Sequence, residues 1–391
     1  MSDECYIHGV STLCALGTGN QEVARSLFAA DKSPLTVSSR YGERLHLGQV
    51  EVAASNKTIP PQHNSRNNRM LQRAASPLLA DIEALQQRYG AHRIGVVIGS
   101  STSGIYEGEE AALHYHDHSQ GKFPAGYWLT QQEIGAPALF LSGQLGLTGP
   151  AWTISTACTS GAKALASGRR LLRAGVCDAV IAGGADSLCR LTIQGFSALG
   201  AVSKTICSPF SSHRDGINIG EGAALFILSR EPSGICISGC GESSDAHHIS
   251  APDPVGKGAE LAMRQALRQA GIGPEEIDYI NLHGTGTTQN DAMESAAVYR
   301  VFGAEVNCSS TKSLTGHTLG TAGALEAAFC YFALEAGKLP RQLDTGPAGK
   351  DIAPLKNLFH HKQARKPVNA MSNSFAFGGN NVSLILSRRS Y

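Results

Sequence analysis

Long apolar runs are missing from this chain of 391 residues. No stretch approaches the about 18 uninterrupted apolar positions of a membrane-crossing helix, so no membrane insertion is expected. Excess charge of either sign is missing too: 33 Lys and Arg stand against 32 Asp and Glu, a net charge of +1. That excludes a nucleic-acid binder working by bulk charge, because such proteins carry a clearly basic balance or patch. Charged residues reach only 17% and apolar ones 42%, which excludes a disordered chain. Proline is scarce beside glycine, 16 against 44, with no G-X-Y period, so collagen is excluded and many tight turns are expected. There is no low-complexity segment.

Cysteine pairs at metal or redox spacing are also absent. The ten Cys, at 5, 14, 158, 177, 189, 207, 236, 240, 308 and 330, form no C-x-x-C, which removes zinc-ribbon and thioredoxin readings. The opening residues, MSDECYIHGV, lack a basic stretch followed by a long apolar one. A cytoplasmic location with mostly free thiols is the expectation.

Short β-branched runs alternate with helical periods. Strands are expected at 93–98, 152–156, 178–184 and 277–282, and helices at 160–174 and 257–270, the latter stopped by Gly271. This pattern predicts an α/β fold with a mostly parallel sheet covered on both faces. Residues 55–68 and 341–357 read as polar loops.

The chain weakly repeats itself. Residues 160–175 laid over 322–337 match at six of sixteen positions, including Gly161/Gly323 and Ala162/Ala324. Ile227-Leu228-Ser229-Arg230 lies over Ile385-Leu386-Ser387-Arg388, and Gly220 over Gly378. The offsets, 162 and 158, nearly agree. Small residues recur in helices by chance, yet two ordered matches favour a duplicated fold, with halves 1–231 and 235–391 joined near Pro232-Ser233-Gly234.

Several residues could carry chemistry. Cys158, in Thr156-Ala157-Cys158-Thr159-Ser160-Gly161, sits where strand gives way to helix. Unpaired helix N–H groups and the dipole's positive end there favour a thiolate; a buried structural cysteine is the equal alternative. His283 ends a strand, where ligands bind in α/β sheets, or it is simply satisfied in a turn. His317 precedes the second copy of the repeated helix, as Cys158 precedes the first, so related halves would bring the two to one centre. Lys312 and Glu326 flank His317, as a buried pair or as solvated surface charges. Residues 375–381, Phe-Ala-Phe-Gly-Gly-Asn-Asn, form a glycine-rich turn open to close ligand approach, or an ordinary hairpin. They lack the G-x-x-x-x-G-K pattern of a phosphate loop. His114, His116 and His118 would share a side only if extended, and no remote ligand set supports a metal there, so no metal is expected.

Four motifs in order, TACTSG, HGTGT, K-S-L-T-G-H-T-L-G-T-A-G-A-L-E and F-A-F-G-G-N-N, resemble the β-ketoacyl-acyl-carrier-protein synthases of the thiolase superfamily, most closely the elongating ketosynthases of type II systems. The likeness implies a duplicated, five-layered αβαβα core. It implies that Cys158 is the acyl-accepting nucleophile, that His283 and His317 are the active-site histidines, and that Lys312 and Glu326 support them. Thr285 and Thr287 would contact the phosphopantetheine arm, with Phe375 and Gly378 beside it. Phe377 would be the gate, its N–H joining that of Cys158 in an oxyanion hole.

The activity implied is decarboxylative condensation of malonyl carrier with a Cys-bound acyl chain, with acyl carrier protein as partner and no metal or redox cofactor. A degradative thiolase or a non-catalytic ketosynthase-like scaffold are the competitors. Arg66 and Arg69, placed before a helix starting near Met70, are candidates for docking the acidic carrier, against solvated loop charge. Three features depart from the family pattern: the polar stretch 106–118, Ile217-Asn218 after Arg214-Asp215-Gly216, and Asn380 where Thr is common. They open the substrate to an unsaturated or aryl-capped polyketide, such as an aryl polyene pigment, beside ordinary fatty acids. The partner subunit is then a second copy or a Cys-less chain-length factor.

Overall fold

The structure, a computed structural model, describes residues 4–52, 58–117, 121–343 and 346–389. Ten strands share one hydrogen-bonded path: β1 (Cys5–Cys14), β2 (Ile94–Gly99), β3 (Ala151–Ile154), β4 (Ala179–Asp186), β5 (Gly222–Ser229), β6 (Ile235–Ser244), β7 (Tyr279–Asn281), β8 (Cys308–Ser309), β9 (Asn369–Phe375) and β10 (Asn380–Arg388). Their order is β8-β7-β9-β10-β6-β1-β5-β4-β2-β3. Each strand of the first five has its counterpart five numbers on, at the mirrored place in that order. Only Cys5–Ile237 and Tyr6–Cys236 pair across the middle, between β1 and β6.

The helices used below are α1 (Arg66–Ala75), α2 (Ile105–Asp117), α3 (Ala136–Gln144), α4 (Ser160–Arg173), α5 (Arg190–Ala198), α6 (Lys257–Ala270), α7 (Thr288–Phe302) and α8 (Ala322–Ala336). Alternate strand residues face opposite ways. Ile94, Val96 and Ile98 of β2 and Ile181 of β4 pack outward against Met70, Leu71 and Leu141 of α1 and α3. Val97, Val180 and Ala182 face inward, against Ala162 and Leu165 of α4 and Ala324 and Ala328 of α8. In the second half, Ile280, Met371 and Ile385 pack against Met263 of α6 and Val298 of α7. The layers are therefore helix, sheet, the α4/α8 pair, sheet and helix, the five-layered αβαβα architecture.

The sheet is mixed, which corrects the mostly parallel expectation. β2 runs parallel to β3 and β4, and β7 to β8 and β9. The long central strands β4, β5, β1, β6, β10 and β9 pair antiparallel in that succession. Helices cover both faces, so these antiparallel strands are apolar on both sides and read in sequence like parallel ones.

Other local expectations also change. Arg66 and Arg69 lie within α1 rather than before it, because Ser65 caps the helix by accepting the Asn68 N–H at 3.1 Å. The loop expected over 55–68 thus ends earlier, and its residues 55–57 fall outside those described. His114 and His116 are on α2, so spacing by two puts them on different faces; His118 lies outside the described residues. Among the described residues no helix is long and apolar enough to cross a membrane.

The central helices touch through glycine. A Cβ on Gly161 would meet the Ala324 N at 2.8 Å and Cβ at 2.9 Å; one on Gly323 would meet the Ala162 Cβ at 2.7 Å and N at 2.9 Å. These are the residues aligned by the repeat, so each half presents the same surface to the other. Gly323→Val should lower unfolding free energy by about 1–3 kcal/mol through overpacking against backbone that cannot yield. A denaturant midpoint equal to wild type would contradict that packing.

Candidate active site

Cys158 sits one residue beyond a strained turn. Ala157 has φ 53°, a left-handed conformation unusual for a residue with a Cβ. Thr159 stabilises the turn by donating its hydroxyl to the Thr156 carbonyl at 2.7 Å, and α4 begins at Ser160. This geometry directs Sγ toward the second half. His317 arrives there because its N–H donates to the Asn218 carbonyl at 2.6 Å and its own carbonyl accepts from Gly220 at 3.0 Å, stitching it to the first half. Its Nε2 lies 3.0 Å from Cys158 Sγ. His283 follows β7 and meets His317 edge-on, ring centroids 5.3 Å apart. One ligating atom from each of the three residues falls within 4.8 Å of the others.

Lys312 is only 1% exposed, yet its three N–H bonds have three acceptors: Glu326 Oε1 at 2.5 Å, the His283 carbonyl, and His283 Nδ1 at 3.5 Å. An ammonium has no acceptor capacity. Nδ1 of His283 therefore accepts, and the ring proton sits on Nε2, pointing toward the sulfur and its substrate. Glu294 holds the same turn, accepting the N–H groups of His283 at 2.8 Å and Gly284 at 2.7 Å. Among the described residues His317 Nδ1 has no hydrogen-bond partner, so neither tautomer of that ring is fixed.

Burial decides the protonation states. It lowers both histidines well below the usual imidazole range, and Lys312 adds to the effect. It pushes the Cys158 thiol up to about 11, although Lys312 and the backbone N–H groups of Phe377 and Cys158 pull it down. The expectation that the helix end would hold a resting thiolate is thus corrected: desolvation outweighs those donors. The resting pair is a neutral thiol beside a neutral imidazole. Burial likewise raises Glu326 to about 7, against the pull of Lys312.

A cavity of about 380 Å³ opens onto this centre. Cys158, His283 and His317 form its inner end, and Thr285, Thr287, Phe375 and Phe377 line it. The Thr285 and Thr287 hydroxyls lie 2.9 Å apart. Phe377 faces Phe196, centroids 5.6 Å apart, across the passage. Phe196 does not stand out in the sequence, because an aromatic within an ordinary helix carries no signal. The same holds for Asp186 at the end of β4. Its Oδ1 accepts from Ser100, Ser101 and Thr102 of the first half and its Oδ2 from Thr321 of the second.

Three other expected residues lie apart from the cavity. Gly378 is not in its wall; its N–H donates to the Ile249 carbonyl at 2.8 Å, so it is spent on a neighbouring loop. Arg66 points inward to Glu221, which is 1% exposed, and to the Val50 carbonyl. Arg69 meets Asn64 at 2.7 Å and Glu107 at 3.4 Å. Neither guanidinium borders the opening.

Comparisons with known proteins agree with this arrangement. The family model described as Beta-ketoacyl synthase, N-terminal domain, matches residues 5–233, and Beta-ketoacyl synthase, C-terminal domain, matches 235–345. The chain belongs to the β-ketoacyl synthase family. Members are acyltransferases that catalyse condensation. Nodulation protein E of Rhizobium leguminosarum bv. trifolii is 32% identical over 98% of this chain and 99% of its own. The 3-oxoacyl-[acyl-carrier-protein] synthase 2 of Rhizobium meliloti (strain 1021) is 35% identical over 75% of this chain and 74% of its own. The ketosynthase ApeO, solved in complex with its chain length factor ApeC from Xenorhabdus doucetiae, superposes with a TM-score of 0.92. It is 45% identical over 99% of this chain and 98% of that one.

For this β-ketoacyl synthase the thiol's raised pKa has a kinetic signature. The thiolate fraction at pH 7 is on the order of 10⁻⁴ for a thiol at about 11. Alkylation of Cys158 by iodoacetamide should therefore rise about tenfold per pH unit from 7 toward 11. A rate constant flat between pH 6 and 9, followed by peptide mass spectrometry, would contradict a neutral resting thiol.

Proposed function

We propose that this ketosynthase elongates carrier-bound polyketide chains, with Cys158 as nucleophile and His283, His317, Lys312 and Glu326 as its catalytic set. The observation that carries the reading is the 3.0 Å contact of Cys158 Sγ with His317 Nε2 at the inner end of a cavity that also presents His283. As sulfur attacks the acyl thioester, the thiol proton passes to His317 Nε2. The tetrahedral oxyanion is held by the backbone N–H groups of Cys158 and Phe377, each such donor being worth on the order of 100–1000-fold. The carbon–sulfur bond to the carrier breaks, the carrier thiol leaves with the proton, and the acyl-enzyme remains.

Malonyl carrier then places its arm along Thr285, Thr287 and Phe375. Its C–C bond to the carboxylate breaks, releasing carbon dioxide. The electron pair forms an enolate whose oxygen accepts from His283 Nε2–H, the donor that Lys312 fixes, and from His317 in its Nε2–H form. The carbanion attacks the acyl-enzyme and expels the Cys158 thiolate, which regains a proton through His317. Overall one solvent proton is consumed, and no free cofactor or metal enters. The two halves, 1–231 and 235–391, contribute the nucleophile and the histidines respectively.

We assign acyl carrier protein as the donor partner, a chain-length factor as the second subunit and the cytoplasm as the compartment. The 45% identity to a ketosynthase solved with its chain length factor supports the subunit. So does the open edge of β3, which carries exposed Trp152 and packs against α3 with its exposed Leu139.

Cys158→Ala should lose acyl transfer altogether, while Cys158→Gln should retain decarboxylation of malonyl carrier. Mass analysis of products from several acyl carriers, with and without the copurified second subunit, checks both. Wild-type turnover by Cys158→Ala would overturn the mechanism, and chain extension by a homodimer alone would overturn the subunit assignment.

A further inference from the structure

We propose that Glu109, on α2, is a positioning residue for the gate of the cavity, acting through α5. The inference rests on the ketosynthase reading above. The N-cap residue of α5, Cys189, gives the first two N–H groups of the helix no side-chain acceptor; its Sγ lies 3.2 Å from Thr192 Oγ1 instead. Glu109 supplies one from another element. Its Oε2 accepts the N–H of Arg190 at 2.7 Å and its Oε1 the N–H of Leu191 at 2.5 Å. One carboxylate thus satisfies the first two unpaired donors of the helix and sits at the positive end of its dipole.

What α5 carries makes this cap matter to function. Ile193 anchors it, 1% exposed, and Phe196 lies one turn further on. Phe196 faces Phe377, the residue whose N–H reaches the sulfur. Leu199, Gly200 and Ala201, which follow the helix, line the cavity wall. A nine-residue helix moves as a unit, so its starting point sets the gap between the two phenylalanines. α2 also carries Glu107, whose Oε1 accepts the Arg66 N–H at 2.6 Å and ties α2 to α1. The gate helix is thereby indexed to the outer layer of the first half by two glutamates about half a helical turn apart. Glu109 itself touches neither substrate nor sulfur.

The test is a double-mutant cycle read by steady-state kinetics of carrier substrates. Glu109→Ala should raise KM for malonyl carrier about five-fold, the usual worth of a lost cap, with kcat changed less than about two-fold. Glu109→Gln, which keeps shape and one acceptor, should give a smaller rise of the same kind. In a Phe196→Ala background the Glu109 substitutions should change KM less than about two-fold, because the ring they position is gone. An equal factor in both backgrounds, or a loss of kcat and thermal stability at unchanged KM, would overturn the proposal and leave Glu109 as a scaffold cap. Should Glu109→Ala not fold, the same cycle with the isosteric Glu109→Gln separates gate positioning from a scaffold cap. Absence of condensation by the unmodified protein would instead refute the ketosynthase reading, so the two failures are distinct.

Discussion

Backbone-to-backbone contact between α4 and α8 is the constraint on which the site depends. Gly161 and Gly323 let the two helix starts meet, and the turns before them share a conformation. Ala157 has φ 53° and Leu319 φ 51°, at the same offset of 162 that relates the helices. The counterpart of Cys158 is therefore Gly320, not His317. A Cβ on Gly320 would meet Asp186 Oδ2 and Ser101 Oγ, each at 2.7 Å. One turn of the duplicated pair bears Cys158, the proposed nucleophile. The other has given its side-chain space to a carboxylate that binds both halves together, and its histidine stands three residues earlier.

Burial at that junction sets the chemistry as firmly as geometry does. In a low-dielectric site every uncompensated charge is expensive. A neutral thiol and two neutral imidazoles avoid the cost at rest. The Lys312 ammonium is surrounded by acceptors on all three of its N–H bonds. Its charge is spent on fixing the His283 tautomer and opposing protonation of both rings. In the proposed mechanism a thiolate forms only as its proton moves to His317, when the developing charge on the substrate can be taken up by backbone donors. Desolvation thus keeps the resting sulfur protonated.

Much of this is legible from residue order. The repeat at 160–175 and 322–337 marks the helices that pack together, because a self-complementary contact demands small residues at the same places in both copies. Cys158, His283 and His317 stand at strand-to-helix changes, which a duplicated fold converges. Strand direction is not legible, since a strand buried on both faces has the same composition either way. Arg66 resembles loop charge because its partner, Glu221, is 155 residues away. The thiol's protonation is hidden because local sequence shows the helix end but not the depth of burial. Gly378 looks ligand-facing because a glycine pair signals a turn without saying which carbonyl will take its N–H.

Two of the departures from the family pattern, Asn218 and Asn380, hold parts in place beside the residues proposed to react. Asn218 is fully buried, and its side chain accepts the Cys207 N–H at 2.7 Å and donates to the Thr205 carbonyl at 2.8 Å. Its backbone carbonyl is the one that receives the His317 N–H, so an amide stands where an apolar residue is usual yet leaves no polar atom of that contact unmet. Ile217 beside it lines the cavity. Asn380, just past the glycine-rich turn at 375–379, accepts from Lys163 Nζ at 2.9 Å and so ties that turn to α4, the helix that follows Cys158. A change of this kind would alter where a wall stands while leaving the Cys158 sulfur, both imidazoles and the Phe377 N–H in register. Divergence at 217, 218 and 380 is therefore what a new chain shape would require if the bond-forming chemistry stayed the same.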